Sequence, residues 1–66
     1  MRVIVNDQPQ ETKAKTLADL LSEMGIADEA AVAAAVDGTV VSRGKWASHS
    51  LKEGAEVLVI RAAQGG

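Results

Sequence analysis

At 66 residues the chain has room for one domain, near the lower limit for a self-sufficient core, since a fold this size buries only about 60% of its unfolded surface. Seven basic and nine acidic residues leave a net charge of −2 with no basic stripe, and Trp46 is the one aromatic residue, so nucleic acid finds neither a cationic track nor a stacking platform. No cysteine is present, which removes disulfides, thiolate metal sites and any thiol side chain on which sulfur could ride.

Apolar runs such as Val57 to Ile60 fall far short of the roughly 20 residues of a membrane span. The N-terminal MRVIVND lacks the apolar h-region of a signal peptide. A soluble, cytoplasmic protein is the expectation.

RVIV at 2–5 is short and β-branched and reads as a buried strand. NDQP at 6–9 carries turn chemistry, and QETK at 10–13 reads as a polar return strand at an edge. TLADLLSEMGI then gives a helix with both ends marked. Thr16 caps it, with Asp19 three residues on as an acidic relative of the capping box. Leu17, Leu20, Leu21 and Met24 make one apolar face. Gly25 stops it, and Ile26 sits where a Schellman motif returns a hydrophobic contact onto Leu21.

DEAAVAAAVDGTVV at 28–41 carries two conflicting signals. Its alanines favour helix over residues 30–36, with Asp28 as cap and Gly38 as terminator. VDGTV is a two-residue Asp-Gly turn between β-branched residues, a strong hairpin signal. We take the strand reading, over about 31–36, with a tight turn at Asp37-Gly38 and a strand over 39–41; alanine is small enough for a crowded strand under a helix. SRGKWASHS is irregular, with one helical turn burying Trp46. Gly54 turns the chain into a final strand from Glu56 to Arg61. The expected fold is therefore α+β: a mixed sheet of four to five strands with one main helix across one face, formed by residues 1–61, followed by a flexible tail over 62–66.

A search for catalytic chemistry returns little. His49 is the single histidine, so a multi-histidine metal site is excluded, and no acid is placed to orient it beside Ser48 or Ser50. It reads as a solvated loop residue. Asp28-Glu29 and Glu53/Glu56 read as solvated charges, GTVVSRG lacks the lysine and spacing of a phosphate loop, and Trp46 reads as core. No catalytic residue and no metal or cofactor site is expected.

The ends remain. If the last strand stops at Arg61, residues 62–66 (AAQGG) reach about 17 Å when extended. Gly65 and Gly66 lack Cβ atoms and fit a narrow channel where side chains would clash. The reactive group at the tip is the Gly66 α-carboxylate, inert to nucleophiles until activated, for instance as an acyl-adenylate. Alternation along the first and last strands puts Val3, Val5, Val57 and Val59 on one face and Ile4, Leu58 and Ile60 on the other. With a single helix covering one face, Ile4, Leu58 and Ile60 are expected as an exposed apolar docking patch near the tail.

The order of VIVND, TLADLL, AAAVDGTVVSRGKW, the L-x-x-G-x-x-V stretch from Leu51 to Val57 and the terminal QGG resembles the sulfur-carrier family of thiamine biosynthesis, ubiquitin-like β-grasp proteins, from end to end. The resemblance implies a β-grasp fold with a strand in the alanine-rich segment. It implies a protein cosubstrate and no enzyme. An adenylating enzyme related to ubiquitin-activating enzymes would use ATP to activate Gly66, with Gln64 and Gly65 threading its active site. A persulfide sulfur donor would convert the adenylate to a thiocarboxylate, and thiazole synthase would accept the sulfur. Ala55 departs from an acidic residue common in the family, and Asp37 stands where the family often has Asn. Other functions share the tail chemistry or the fold: a carrier like the molybdopterin synthase small subunit, a ubiquitin-like protein modifier, or a plain binding module.

Overall fold

The computed structural model describes residues 1–62. Its elements in chain order are β1 (Arg2–Val5), β2 (Gln8–Glu11), α1 (Leu17–Glu23), β3 (Val32–Val36), β4 (Thr39–Val41), a 3-10 helix (Arg43–Ser48) and β5 (Glu56–Arg61). The five strands form one sheet in the order β2-β1-β5-β3-β4. The last strand thus lies in the middle, parallel to β1 and antiparallel to β3. This is the expected α+β arrangement, and the alanine-rich segment is strand.

Period-2 alternation builds the core. Val3, Val5, Ala34, Val36, Val57 and Val59 point to one face, where Leu17, Leu20 and Leu21 of α1 join them in a single buried cluster. Trp46 enters the same cluster from the 3-10 helix, and its indole N–H donates to the Val41 carbonyl at 2.9 Å. That bond meets the requirement that a buried indole find a partner. Ala55, one of the two departures noted above, is also buried there, so its effect falls on packing.

The helix is seven residues long, too short to persist alone, and its ends are closed with care. Thr16 Oγ1 accepts from the Asp19 N–H at 3.2 Å, and the Leu17 N–H donates to the His49 carbonyl at 2.9 Å. The Asp19 carboxylate reaches back to the Lys15 N–H, one residue earlier than in a capping box. At the other end Gly25 takes φ +77°, its N–H donates to Ser22 O, and the Ile26 N–H donates to Leu21 O, which is the Schellman pattern.

Two hairpins flank β5, and both turn on two residues of positive φ: Asn6 and Asp7 in one, Asp37 and Gly38 in the other. The first corrects the sequence-based boundaries. The turn is confined to Asn6-Asp7, so β2 begins at Gln8 and includes Pro9. Pro9 pairs with Ile4, one place beyond the Val5–Gln8 pair that closes the hairpin. At such a non-hydrogen-bonded position on an edge strand the missing N–H faces outward and costs the ladder nothing.

Each turn also reaches across to β5 through its first side chain. Asn6 Oδ1 accepts from the Val59 N–H at 2.8 Å while its Nδ2 donates to Val59 O at 3.2 Å, so the side-chain amide extends the β1–β5 ladder by one peptide. Asp37 Oδ1 accepts from the Glu56 N–H at 3.0 Å. The central strand is pinned from both sides.

Two outcomes follow in urea unfolding. Leu20→Ala, at a fully buried site, is expected to cost about 2–5 kcal/mol. Asn6→Asp removes the donor to Val59 O and sets a carboxylate against that carbonyl; about 1–3 kcal/mol is expected, with Asp7→Asn as a near-neutral control.

Candidate functional site

The uncovered face of the sheet is set by the same alternation that fills the core. Glu56, Leu58 and Ile60 of β5 point away from α1, and Leu58 and Ile60 are 51% and 55% exposed. Ladder register places Leu58 opposite Ala35, which is itself opposite Val40 of β4, and places Ile60 opposite Ala33. Val40 is 76% exposed. The result is an apolar field across β5, β3 and β4, reaching to within two residues of Ala62.

Of the three residues read from the sequence as a patch, Leu58 and Ile60 lie together in this field. Ile4 is half-buried and stands to one side, between Pro9 of β2 and Glu56 of β5. Val40 is the member that sequence reasoning missed. Its signal was the alternation Val40-Val41, in which the buried Val41 sends its neighbour outward. The alanines divide likewise. Only Ala34 faces the core, so the argument from crowding under a helix applies to it and not to Ala33 or Ala35.

The exit of β5 is fixed by polar contacts that pattern reasoning could not reach. The Ala62 N–H donates to Ala31 O at 2.9 Å. The Arg61 guanidinium holds the Glu29 carboxylate with two contacts, at 2.9 and 2.7 Å. Glu29 is therefore paired, where the sequence suggested a solvated charge. The segment carrying Glu29 is clamped in turn by Arg43. That guanidinium donates to the carbonyls of Ala27 (2.8 Å), Glu29 and Ala30, and sits 4.5 Å from the centroid of the Trp46 ring. A chain of contacts runs from the buried indole to the last residue of β5.

Gln64, Gly65 and Gly66, the expected tail and attachment point, lie outside the described residues. Among the described residues no group of three or more His, Cys, Asp or Glu side chains comes together to hold a metal. His49 is half-buried, less open than expected, because its backbone is drawn under the start of α1. The Ser48 hydroxyl donates to Lys45 O and not toward His49. The Glu11 carboxyl is held below the usual carboxylate range by the hydrogen bond and charge of the Met1 ammonium 3.0 Å away, at the β2 edge of the sheet. Among the described residues no helix is long and apolar enough to cross a membrane.

Comparison with known proteins agrees with this architecture. The model of the ThiS family matches residues 3–66. Sulfur carrier protein ThiS of Escherichia coli (strain K12) is 30% identical over 67 residues, with all of both chains covered. The crystal structure of thiamine biosynthesis protein ThiS from Geobacter metallireducens superposes with a TM-score of 0.82 at 25% identity, again over all of both chains. An NMR solution structure of a thiamine biosynthesis protein from the same organism gives a TM-score of 0.81 at 25% identity, covering this whole chain and 88% of that one. The fold is the β-grasp.

The Arg61–Glu29 pair is open to solvent, which limits its energetic weight. Glu29→Gln is expected to lower unfolding free energy by no more than about 1 kcal/mol. The difference from wild type should shrink further at about 1 M NaCl, as followed by urea unfolding at two salt concentrations.

Proposed function

The chain belongs to the ThiS family, and we propose that it is a sulfur carrier whose working group is the Gly66 carboxylate. The observation that carries this reading is the match to the Escherichia coli sulfur carrier over the full length of both chains. The composition supports it, because a chain without cysteine needs another place to hold sulfur.

The chemistry follows from an inert carboxylate. A Gly66 oxygen attacks the α-phosphorus of ATP on a ubiquitin-activating-like adenylating enzyme, pyrophosphate leaves, and an acyl-adenylate results. The terminal sulfur of a persulfide donor then attacks the acyl carbon and AMP departs. The product is an acyl disulfide; a thiol then cleaves the sulfur–sulfur bond that the donor brought, forming a disulfide with the donor and freeing the thiocarboxylate. Thiazole synthase takes the sulfur from there. The protein is a cosubstrate with no bound cofactor; ATP is consumed by the partner. Gln64 and Gly65 thread the partner's active site, and the lack of side chains on the two glycines keeps that thread narrow. We place these encounters in the cytoplasm, with neither nucleic acid nor membrane involved.

In this reading the fold supplies an address. Leu58, Ile60 and Val40, with Ile4 at the margin, form the docking face, on the strand that runs into the tail. Exposed apolar fields of this kind mark interaction surfaces.

Intact-mass analysis after incubation with ATP, the adenylating enzyme and a persulfide donor should show one oxygen-for-sulfur exchange, absent when Gly66 is deleted. Conjugates branched at lysine would instead make the protein a modifier, and an unchanged mass with every activating enzyme would sink the carrier reading. Leu58→Glu and Ile60→Glu should each weaken binding to the adenylating enzyme by about tenfold or more with the fold retained by circular dichroism. Unchanged affinity in both would remove the docking face.

A further inference from the structure

The apolar field is not flat. Ala33 and Ala35 lie on the uncovered side of β3, where exposed positions ordinarily favour β-branched residues and alanine is among the depleted types. Neither serves the core, which takes only Ala34 of the three alanines. Their small side chains leave a hollow of about 80 Å³ walled by Leu58 and Ile60 on one side and Val40 on the other, with Ala33, Ala34 and Ala35 as its floor. Every wall is apolar.

We propose that this hollow is a socket for one branched aliphatic side chain (Leu, Ile or Val) projecting from the enzyme that activates the C-terminal carboxylate. The proposal rests on the carrier reading for the identity of the partner and on the hollow's own shape for the chemistry of the knob. Size selects the knob. An apolar cavity of about 150 Å³ holds a benzene ring, so a hollow of roughly half that volume suits an isopropyl or isobutyl group better than an aromatic one. Position selects the partner. Residues 62–66 span at most about 17 Å, so an enzyme acting on Gly66 comes close to the end of β5. The hollow's wall residue Ile60 lies just before that end. A single anchor in a desolvated pocket is also the usual form of an interface hot spot.

The socket reading makes an outcome opposite to that of a merely greasy patch. Ala35→Leu, and independently Ala33→Val at a more exposed site, make the face more apolar and improve strand propensity, yet fill the hollow. Each is expected to leave the thermal midpoint unchanged or higher and to weaken binding to the adenylating enzyme by about tenfold or more. Ala35→Ser, which keeps the hollow open, should stay within about threefold of wild type. Unchanged or tighter binding by the two filled variants overturns the socket while leaving the mass assay for the carrier intact.

A second arm needs no enzyme and so separates failure of the socket from failure of the carrier reading. In methyl NMR spectra of the full chain, millimolar N-acetyl-leucinamide should shift the Ala33, Ala35, Val40 and Leu58 methyls, and N-acetyl-phenylalaninamide should not. Equal shifts from both probes, or from neither, overturn the assignment. Concentration-dependent self-association that Ala35→Leu abolishes without weakening enzyme binding would give the hollow to a second copy and overturn it as well.

Discussion

One short helix has to serve a sheet of five strands. α1 covers a single face, so every strand near the middle must be apolar toward α1 and has a second face over which none of the described helices is laid. The core is built accordingly from alternate positions, Val3 and Val5, Ala34 and Val36, Val57 and Val59. The uncovered residues between them are where selection for something other than stability can act. In β1 those positions are Arg2 and Ile4; in β5 they are Glu56, Leu58 and Ile60. Among the described residues only the far half of β5, with Val40 beside it across the alanines, is apolar and open.

The central strand is also the one that leads to the proposed reactive end, and the turns hold it accordingly. Asn6 and Asp37 each use a left-handed backbone to make a hairpin and a side chain to bond β5, so two local signals also do non-local work. Asn6 needs both halves of its amide for this. Beyond Ile60 the hold passes to Arg61, Glu29 and the Ala62–Ala31 bond, and through Arg43 to Trp46. In the carrier reading the chemistry belongs to the partners, and what this fold contributes is a central strand hydrogen-bonded as far as Ala62 beside an apolar face.

Much of this was legible in the chain. α1 could be read from Thr16, the spacing of its leucines and Gly25, because caps and periodicity are local. The β3–β4 hairpin could be read from Asp37-Gly38 for the same reason, against the helical preference of its alanines. What could not be read depends on register between distant strands. Pro9 looked like a turn residue until the pairing with Ile4 put its missing N–H outside the ladder. Ala33 and Ala35 looked like core packing until the register with Leu58 and Ile60 showed which face they occupy. Glu29 and Arg61 lie 32 positions apart, and no local pattern joins them. The tail glycines were conspicuous as sequence, and the role proposed for them rests on the resemblance to the family.

Placing the final strand at the centre has a consequence in time. Before β5 is made, the chain can form only two separate hairpins and a seven-residue helix, each marginal in water alone. The pairing of Ile4 with Glu56 joins nearly the two ends of the chain, a distant contact of the kind that forms late. Core, pinned strand and apolar face therefore come into being together, once β5 joins the sheet. In the carrier reading, a partner that needs Leu58 and Ile60 beside Ala35 meets that face only on a chain whose sheet has closed around β5.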